Sequence, residues 1–325
     1  MKKVTIVAEI GINHEGKINK CLTMIKKAAN AGADVVKLQT IDPDKNYVKN
    51  SRSYKIFSKG NLTKTETEKA FKYAKKIGID IFTTCGDIDT ANWVKKLNPW
   101  AWKISSGLLN HTPLITYLSK FRKTMIISTG VADLFDIKKA IQTIRSTGNN
   151  KIITLQCTSN YPTKNENINL NKIKLYKEKF KCDVGFSDHS IGDDAAFLSV
   201  GAGSIFLEKH FTLDRSRKGF DHKISLEPTE FKKMVNKIRL AEKMMGLKTF
   251  KLTKNIRNIR NQLIRTIVAK RDIKKGETLS INNLAIKRSS NNKNGFSPSM
   301  IKKLHGKVAL KFIAKDSTVL NRYLK

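Results

Sequence analysis

The chain has 325 residues, 40% hydrophobic and 28% charged, with a formal net charge of +36; that suits a soluble globular protein with one large domain and a small one. No apolar run reaches the ~20 residues that a membrane-spanning helix needs. The N-terminal MKKVTIVAEIGINHEG meets Glu9 within a short apolar stretch and does not read as a signal peptide, so a cytoplasmic protein with no membrane partner is expected.

In chain order, a short β-branched run alternates with a helical segment from residue 4 to about 245. The strand candidates are TIVAEIG (5–11), DVVKLQT (34–40), DIFTTC (80–85), AWKIS (101–105), TMIIST (124–129), IITLQCTS (152–159), DVGFSDH (183–189) and SIFLEKH (204–210). Their apolar positions are nearly continuous, as in parallel strands buried on both faces. Between them, Ile18, Cys21, Leu22 and Ile25 share one helical face, and Gly32 supplies the stop. Asp193 and Asp194 precede AAFLSVG, where negative charge suits the first turn of a helix. After Glu227-Pro228, TEFKKMVNKIRLAEKMMG is amphipathic and ends at Gly246.

Eight strand–helix repeats in this length predict a (β/α)₈ TIM barrel over 1–246; an open doubly wound sheet is the rival. Residues 247–262, basic and weakly periodic, read as a linker or linking helix. Residues 263–325 read as a small β-rich module, with LIRTIVAKRDI a strand, KKGE a turn and LSINNLAIKR following. About sixty residues are marginal for independent stability, so the module is expected to dock on a barrel, its own or a partner's.

Catalytic groups of such barrels lie at the C-terminal strand ends. Those ends are polar here: Glu9, Asn13 and His14; Lys37 and Gln39; Thr83 and Thr84; Lys103, Ser105 and Ser106; Ser128 and Thr129; Thr158, Ser159 and Tyr161; Ser187, Asp188 and His189; Glu208, Lys209 and His210. His189 and His210 end consecutive strands and would be neighbours. Two imidazoles with water and substrate oxygen make an open metal site; the alternative is that each satisfies a local hydrogen bond, since open sites usually have three protein ligands. Lys37 and Lys103 lie inside apolar strands, where a buried unpaired ammonium is costly, so they should point into the mouth. With the hydroxyls of Thr84, Ser106, Ser128 and Ser187 they suit phosphate or carboxylate recognition, and a Schiff-base lysine is the other role. The Ser128-Thr129-Gly130 segment would offer backbone N–H groups to the same anion. Glu9, Asp188, Glu208 and Asp221 are acid or base candidates, or ion-pair partners of rim lysines.

The four cysteines form no CxxC pair, which argues against a zinc knuckle. The lysines are spread along the whole chain with no nucleic-acid recognition motif, so the charge reads as solvated faces that steer an anionic substrate, with no nucleic-acid partner expected.

AEIGINHEG (8–16), VVKLQT (35–40), KISSG (103–107), STG (128–130), LQCTSNYPT (155–163), GFSDHS (185–190), LEKHFT (207–212) and GFDHKISLEP (219–228) together resemble the sialic acid synthases, the nonulosonate synthases that make N-acetylneuraminate, legionaminate or pseudaminate. IVAKRDIKKGE and AIKR resemble the antifreeze-protein-like (SAF, β-clip) domain that follows the barrel in that family. The resemblance implies condensation of phosphoenolpyruvate with an open-chain N-acetylated hexosamine to a nine-carbon 2-keto acid and phosphate. It implies His189 and His210 as ligands of Mn²⁺, with Mg²⁺ or Co²⁺ as alternatives. It places Lys37, Thr84, Lys103, Ser106, Ser128, Ser159 and Ser187 at phosphoenolpyruvate, and Glu9, Tyr161, Glu208 and Asp221 at the sugar. Arg288 matches an arginine that the SAF domain of one protomer extends into its partner's barrel, which implies a domain-swapped homodimer.

Two departures stand out. Leu108 replaces a glutamate that is an acid/base candidate in the family, which leaves Glu9 or Glu208 to act; the other outcome is a catalytically weakened barrel that binds sugar or phosphate. SSNNKNG (289–295) stands where a Pro-Gly turn is common, so a looser loop beside Arg288 is expected. GFDHKISLEP resembles the neuraminate and legionaminate branches more than the pseudaminate one.

Overall fold

The β-branched runs form strands in a computed structural model that describes residues 2–247, 249–289 and 294–325. The strands are β1 (Thr5–Gly11), β2 (Val35–Thr40), β3 (Asp80–Cys85), β4 (Trp102–Ile104), β5 (Met125–Ser128), β6 (Ile152–Gln156), β7 (Asp183–Asp188) and β8 (Phe206–His210). All pair in parallel in sequence order, and β8 returns to β1 to close the barrel. Closure rules out the open doubly wound sheet. Several strands are shorter than their apolar runs. β4 keeps three residues because Ser105 leads into a 3₁₀ turn at Ser106–Leu108. β6 stops at Gln156, and His189 lies one residue past β7.

Alternation with period two sorts each strand into an inner and an outer face. The inner face carries an apolar plug of Val7, Val35, Phe82, Ala101, Ile126, Leu155 and Phe206. The outer face, including Ile6, Ala8, Ile10, Val36, Leu38, Ile104, Ile127 and Leu207, packs on the helices as the main core. Gly185 is where β7 and β8 need the missing side chain: a Cβ would overlap the carbonyl of Phe206 and stand 2.7 Å from Leu155 Cδ2.

The helix Ile18–Asn30 buries Cys21, Met24, Ile25 and Ala28, and the turn after it uses Gly32 at φ +90°. Asp193 stands at the N-terminal boundary of the helix Asp194–Gly201 with its carboxylate bonded to Lys237, and Pro228–Met245 ends at Gly246 with φ 56°. The chain divides into two compact units, Met1–Leu247 and Lys248–Lys325. In the second, Lys254–Leu263 is helical with Thr253 as its N-cap. β9 (Arg265–Ala269) and β10 (Leu284–Arg288) pair antiparallel over a core that includes Ile267, Ile273, Leu279, Leu304, Ile313 and Val319. Gly276 turns KKGE at φ +85°. No helix among the described residues is long and apolar enough to cross a membrane.

Candidate active site

Two residues beyond six of the seven members of the apolar plug, the inner face turns polar. Val7 leads to Glu9, Val35 to Lys37, Phe82 to Thr84, Ala101 to Lys103, Ile126 to Ser128 and Phe206 to Glu208, as period two requires. Ser187 stands in the same position on β7, in register with Glu208. All seven are buried. A ring of one charge type would not tolerate this burial; here two ammonium groups and two carboxylates balance and bond one another.

The links run across the barrel. Lys37 Nζ is paired with Glu9 Oε2 and lies 3.3 Å from Glu208 Oε1. Lys103 Nζ meets both oxygens of Glu208, at 2.9 and 3.1 Å, and Ser187 Oγ donates to Glu208 Oε1 at 2.9 Å. Burial alone would raise the pKa of Glu208, but Lys103 and Lys37 outweigh it and hold the group well below the usual carboxylate range. Lys37 is brought down to about 7: burial dominates, Glu208 opposes it, and Lys103 adds repulsion. Thr84 Oγ1 and Ser128 Oγ are buried with no hydrogen-bond partner. Such groups carry a desolvation cost unless a ligand or water meets them.

Beside this layer, the rings of His189 and His210 lie 5.4 Å apart between centroids. Tyr161 stacks on His189 at 4.2 Å, with its hydroxyl 3.3 Å from Nε2. His189 Nδ1 lies 2.8 Å from the Thr158 carbonyl, a bond it makes as donor, which leaves Nε2 with its lone pair. His210 Nδ1 is buried without a hydrogen-bond partner, and Asp221 Oδ2 lies 3.7 Å away. Burial keeps both imidazoles neutral: His189 falls to about 4 despite the Thr158 bond, and His210 lies well below its ordinary value, depressed further by His189 and Lys37. Burial also raises Asp221 to about 6, against the pull of Lys37. Two neutral imidazoles, one with an unsatisfied nitrogen, fit a divalent cation. Among the described residues, no group of three or more His, Cys, Asp or Glu is arranged to hold one, so water or substrate oxygen would complete its coordination.

A third cluster lies at β4–β6. Ser106 Oγ accepts the Gly130 N–H at 2.9 Å and lies 3.4 Å from Cys157 Sγ. A methyl at Gly130 would overlap Ser159 Oγ and stand 2.7 Å from Cys157 Sγ and 2.8 Å from Ser106 Oγ. The small residue therefore lets three side chains converge.

Some expectations change. Asp188 is not a rim acid: it turns to the outer face of the barrel and pairs with Lys209 at 2.9 Å. The Gly130 N–H is engaged by Ser106, so it is not free for an anion. Thr83 and Thr129 also face away from the mouth, bonded to Thr40 and to the Leu155 carbonyl. Leu108 packs against the main apolar core. Arg288 lies in the second unit, at the end of β10 opposite Arg265. The loop expected at 289–295 falls in part, at 290–293, outside the described residues. Cys157 was missed as a site residue, although counting two from Leu155 reaches it. Also missed was the tie between the loops after β1 and β8: Glu15 accepts from Lys20, Arg217 and His222. Arg217 and His222 lie 202 and 207 residues from it, so no local signal marks the tie.

Residues 24–250 match the NeuB family and residues 264–322 match the SAF domain. The chain is 35% identical over 336 residues to the N,N'-diacetyllegionaminic acid synthase of Campylobacter jejuni, covering 98% of this chain and 99% of that one. It is 36% identical over 328 residues to the pseudaminic acid synthase of the same organism, covering 96% and 94%. The crystal structure of N-acetylneuraminic acid synthetase from Leptospira borgpetersenii superposes with a TM-score of 0.76 at 30% identity, covering 80% of this chain and 92% of that one.

Proposed function

Because the chain belongs to the NeuB family, we propose that it is a nonulosonate synthase that condenses phosphoenolpyruvate with an N-acetylated hexosamine, either N-acetylmannosamine or a 6-deoxy-diacetamido analogue. The relatives named above are synthases of such nine-carbon acids. The observation that carries the reading is the buried layer of Lys37, Lys103, Glu9 and Glu208, with the unpartnered hydroxyls of Thr84 and Ser128 in it. Two ammonium groups and a set of hydroxyls match the carboxylate and phosphate of phosphoenolpyruvate. Ser106, Ser159 and Ser187 complete that set.

The sugar lies toward His189, His210, Tyr161, Asp221 and Glu9, with Glu208 between the two substrates. C3 of phosphoenolpyruvate bonds to the aldehyde carbon, water adds its oxygen at C2, and the C2–O bond breaks to release phosphate. His189 and His210 would hold the divalent ion, Mn²⁺, with Mg²⁺ or Co²⁺ as alternatives; when bound it polarises the aldehyde. Glu208, held as a carboxylate by its lysines, has no proton to give near neutrality and is a weak base, so its part is to orient the two ammonium groups between the substrates. Lys37, the lysine brought down to about 7, can hold or release a proton near neutrality. We also propose that the protein works in the cytoplasm as a domain-swapped homodimer in which Arg288 reaches the partner's sugar site.

Phosphate release tests this reading, with phosphoenolpyruvate, Mn²⁺ and each candidate sugar in turn. Release with at least one sugar is expected, with a product heavier than the sugar by the pyruvate unit. No release with any of them removes the proposal. The packing of Leu108 against the core favours a second reading, a barrel that binds without turnover. Calorimetric binding of phosphoenolpyruvate with no phosphate release would establish it.

A further inference from the structure

The outer face of the barrel strands is apolar or uncharged at almost every position, as the layer against the helices demands. Asp188 on β7 and Lys209 on β8 are the charged exception, and both are fully buried. They are register partners across the two strands. Lys209 Nζ donates to Asp188 Oδ2 at 2.9 Å and to the Ser190 carbonyl at 2.7 Å. Asp188 Oδ1 accepts from the Ser190 N–H at 2.8 Å and from Ser190 Oγ at 2.6 Å. Both charges are thus fully engaged, and the ring of bonds spans the turn that holds His189.

Stability alone gives no reason for such a pair. Apolar residues of similar volume often serve a buried site as well or better. What directed bonds add is geometry. Asp188 immediately precedes His189, and Lys209 immediately precedes His210. With the side chains alternating, clamping the outward pair fixes the backbone from which each imidazole projects inward. The Asp188–Ser190 bonds set the turn through His189, and Lys209 joins that turn to β8.

We propose that the Asp188–Lys209–Ser190 cluster is a positioning device that holds His189 and His210 at the spacing a divalent cation requires. The inference rests on the reading of these histidines as cation ligands. Groups that bond a metal ligand directly typically account for about 10- to 100-fold in metal affinity; this cluster acts on the ligands through their backbone, so the lower end of that range is expected.

The test uses the full chain, stripped with chelator and titrated with Mn²⁺ by calorimetry and electron paramagnetic resonance. Phosphoenolpyruvate affinity is measured separately on the same samples. Asp188→Asn/Lys209→Met removes both charges together and keeps an acceptor for the Ser190 N–H. It is expected to bind Mn²⁺ about 10-fold more weakly with phosphoenolpyruvate affinity unchanged. A merely structural pair would leave both affinities alone or lower both together, and either result in a folded variant overturns the inference. Should the double variant not fold, Ser190→Ala decides: it keeps both charges and is expected to weaken Mn²⁺ selectively by a smaller factor, and an unchanged Mn²⁺ affinity overturns the inference. Absence of Mn²⁺ binding in the parent would remove the ligand role of the histidines and this inference with it. Equal binding by parent and variants removes the inference alone.

Discussion

At the scale of single residues, the site is a set of buried charges that neutralise one another. Lys103 and Glu208 are almost fully buried and bonded through both carboxylate oxygens. Removing one member leaves the other without its main partner, which for a buried pair costs about 3–5 kcal/mol. Lys37 and Ser187 still face Glu208, so the loss falls toward the lower end. Lys103→Met should therefore fold with a lowered melting temperature and release phosphate at least about 100-fold more slowly, the scale for removing an electrostatic contact to a reacting anion. Steady-state kinetics with phosphoenolpyruvate varied would check this; a kcat/KM within twofold of the parent would show that Lys103 does not contact that substrate. Most of these residues were legible from the sequence, because a lysine in an apolar strand must find a counter-charge or solvent. Their partners were not, because Lys103 and Glu208 are 105 residues apart.

At the scale of elements, strands were easier to recognise than to delimit. Apolar runs persist past the last ladder bond, so AWKIS shortened to three residues and IITLQCTS to five. Loop geometry was hidden further. Glu15 ties the segment after β1 to the segment after β8 through Lys20, Arg217 and His222. Burial would raise its pKa, but the bonds to Arg217 and Lys20 bring it from 4.5 down to about 2. A carboxyl whose folded pKa is depressed contributes stability above its unfolded pKa and loses it as pH falls toward the folded one. The melting temperature of the parent should exceed that of Glu15→Gln by a constant margin from neutral pH to near 4.5, and the margin should shrink toward pH 2. Thermal melts across that range decide it. A margin that persists undiminished near pH 2 would mean that the tie does not depend on the charge of Glu15.

At the scale of the whole molecule, the claim to test is the exchange of second units between protomers. Arg288→Ala keeps its own barrel intact, and His210→Ala keeps its own Arg288. If Arg288 serves the partner's barrel, each variant alone should be nearly inactive. Mixed dimers would contain one complete site and should recover part of the parent's phosphate release. Subunit exchange followed by the phosphate assay reads this directly. Activity in Arg288→Ala alone equal to the parent would remove Arg288 from the reaction, and no recovery on mixing would place its action within its own chain. The net charge of +36 also acts at this scale: if the substrate is the anion proposed above, the charge should raise the encounter rate, and do so less as salt is added.

The sequence by itself determined the repeat, the barrel, the polar strand ends and the family, because strand periodicity and short motifs are local properties. It also brought His189 and His210 to neighbouring strand ends, since β7 and β8 follow one another. Only the tertiary structure decided that Asp188 faces outward to Lys209, that Cys157 joins the inner cluster, that the Gly130 N–H is already taken and that Leu108 packs on the core. Each of these depends on which atoms meet once the barrel closes, and closure sets distances between residues that no local spacing encodes.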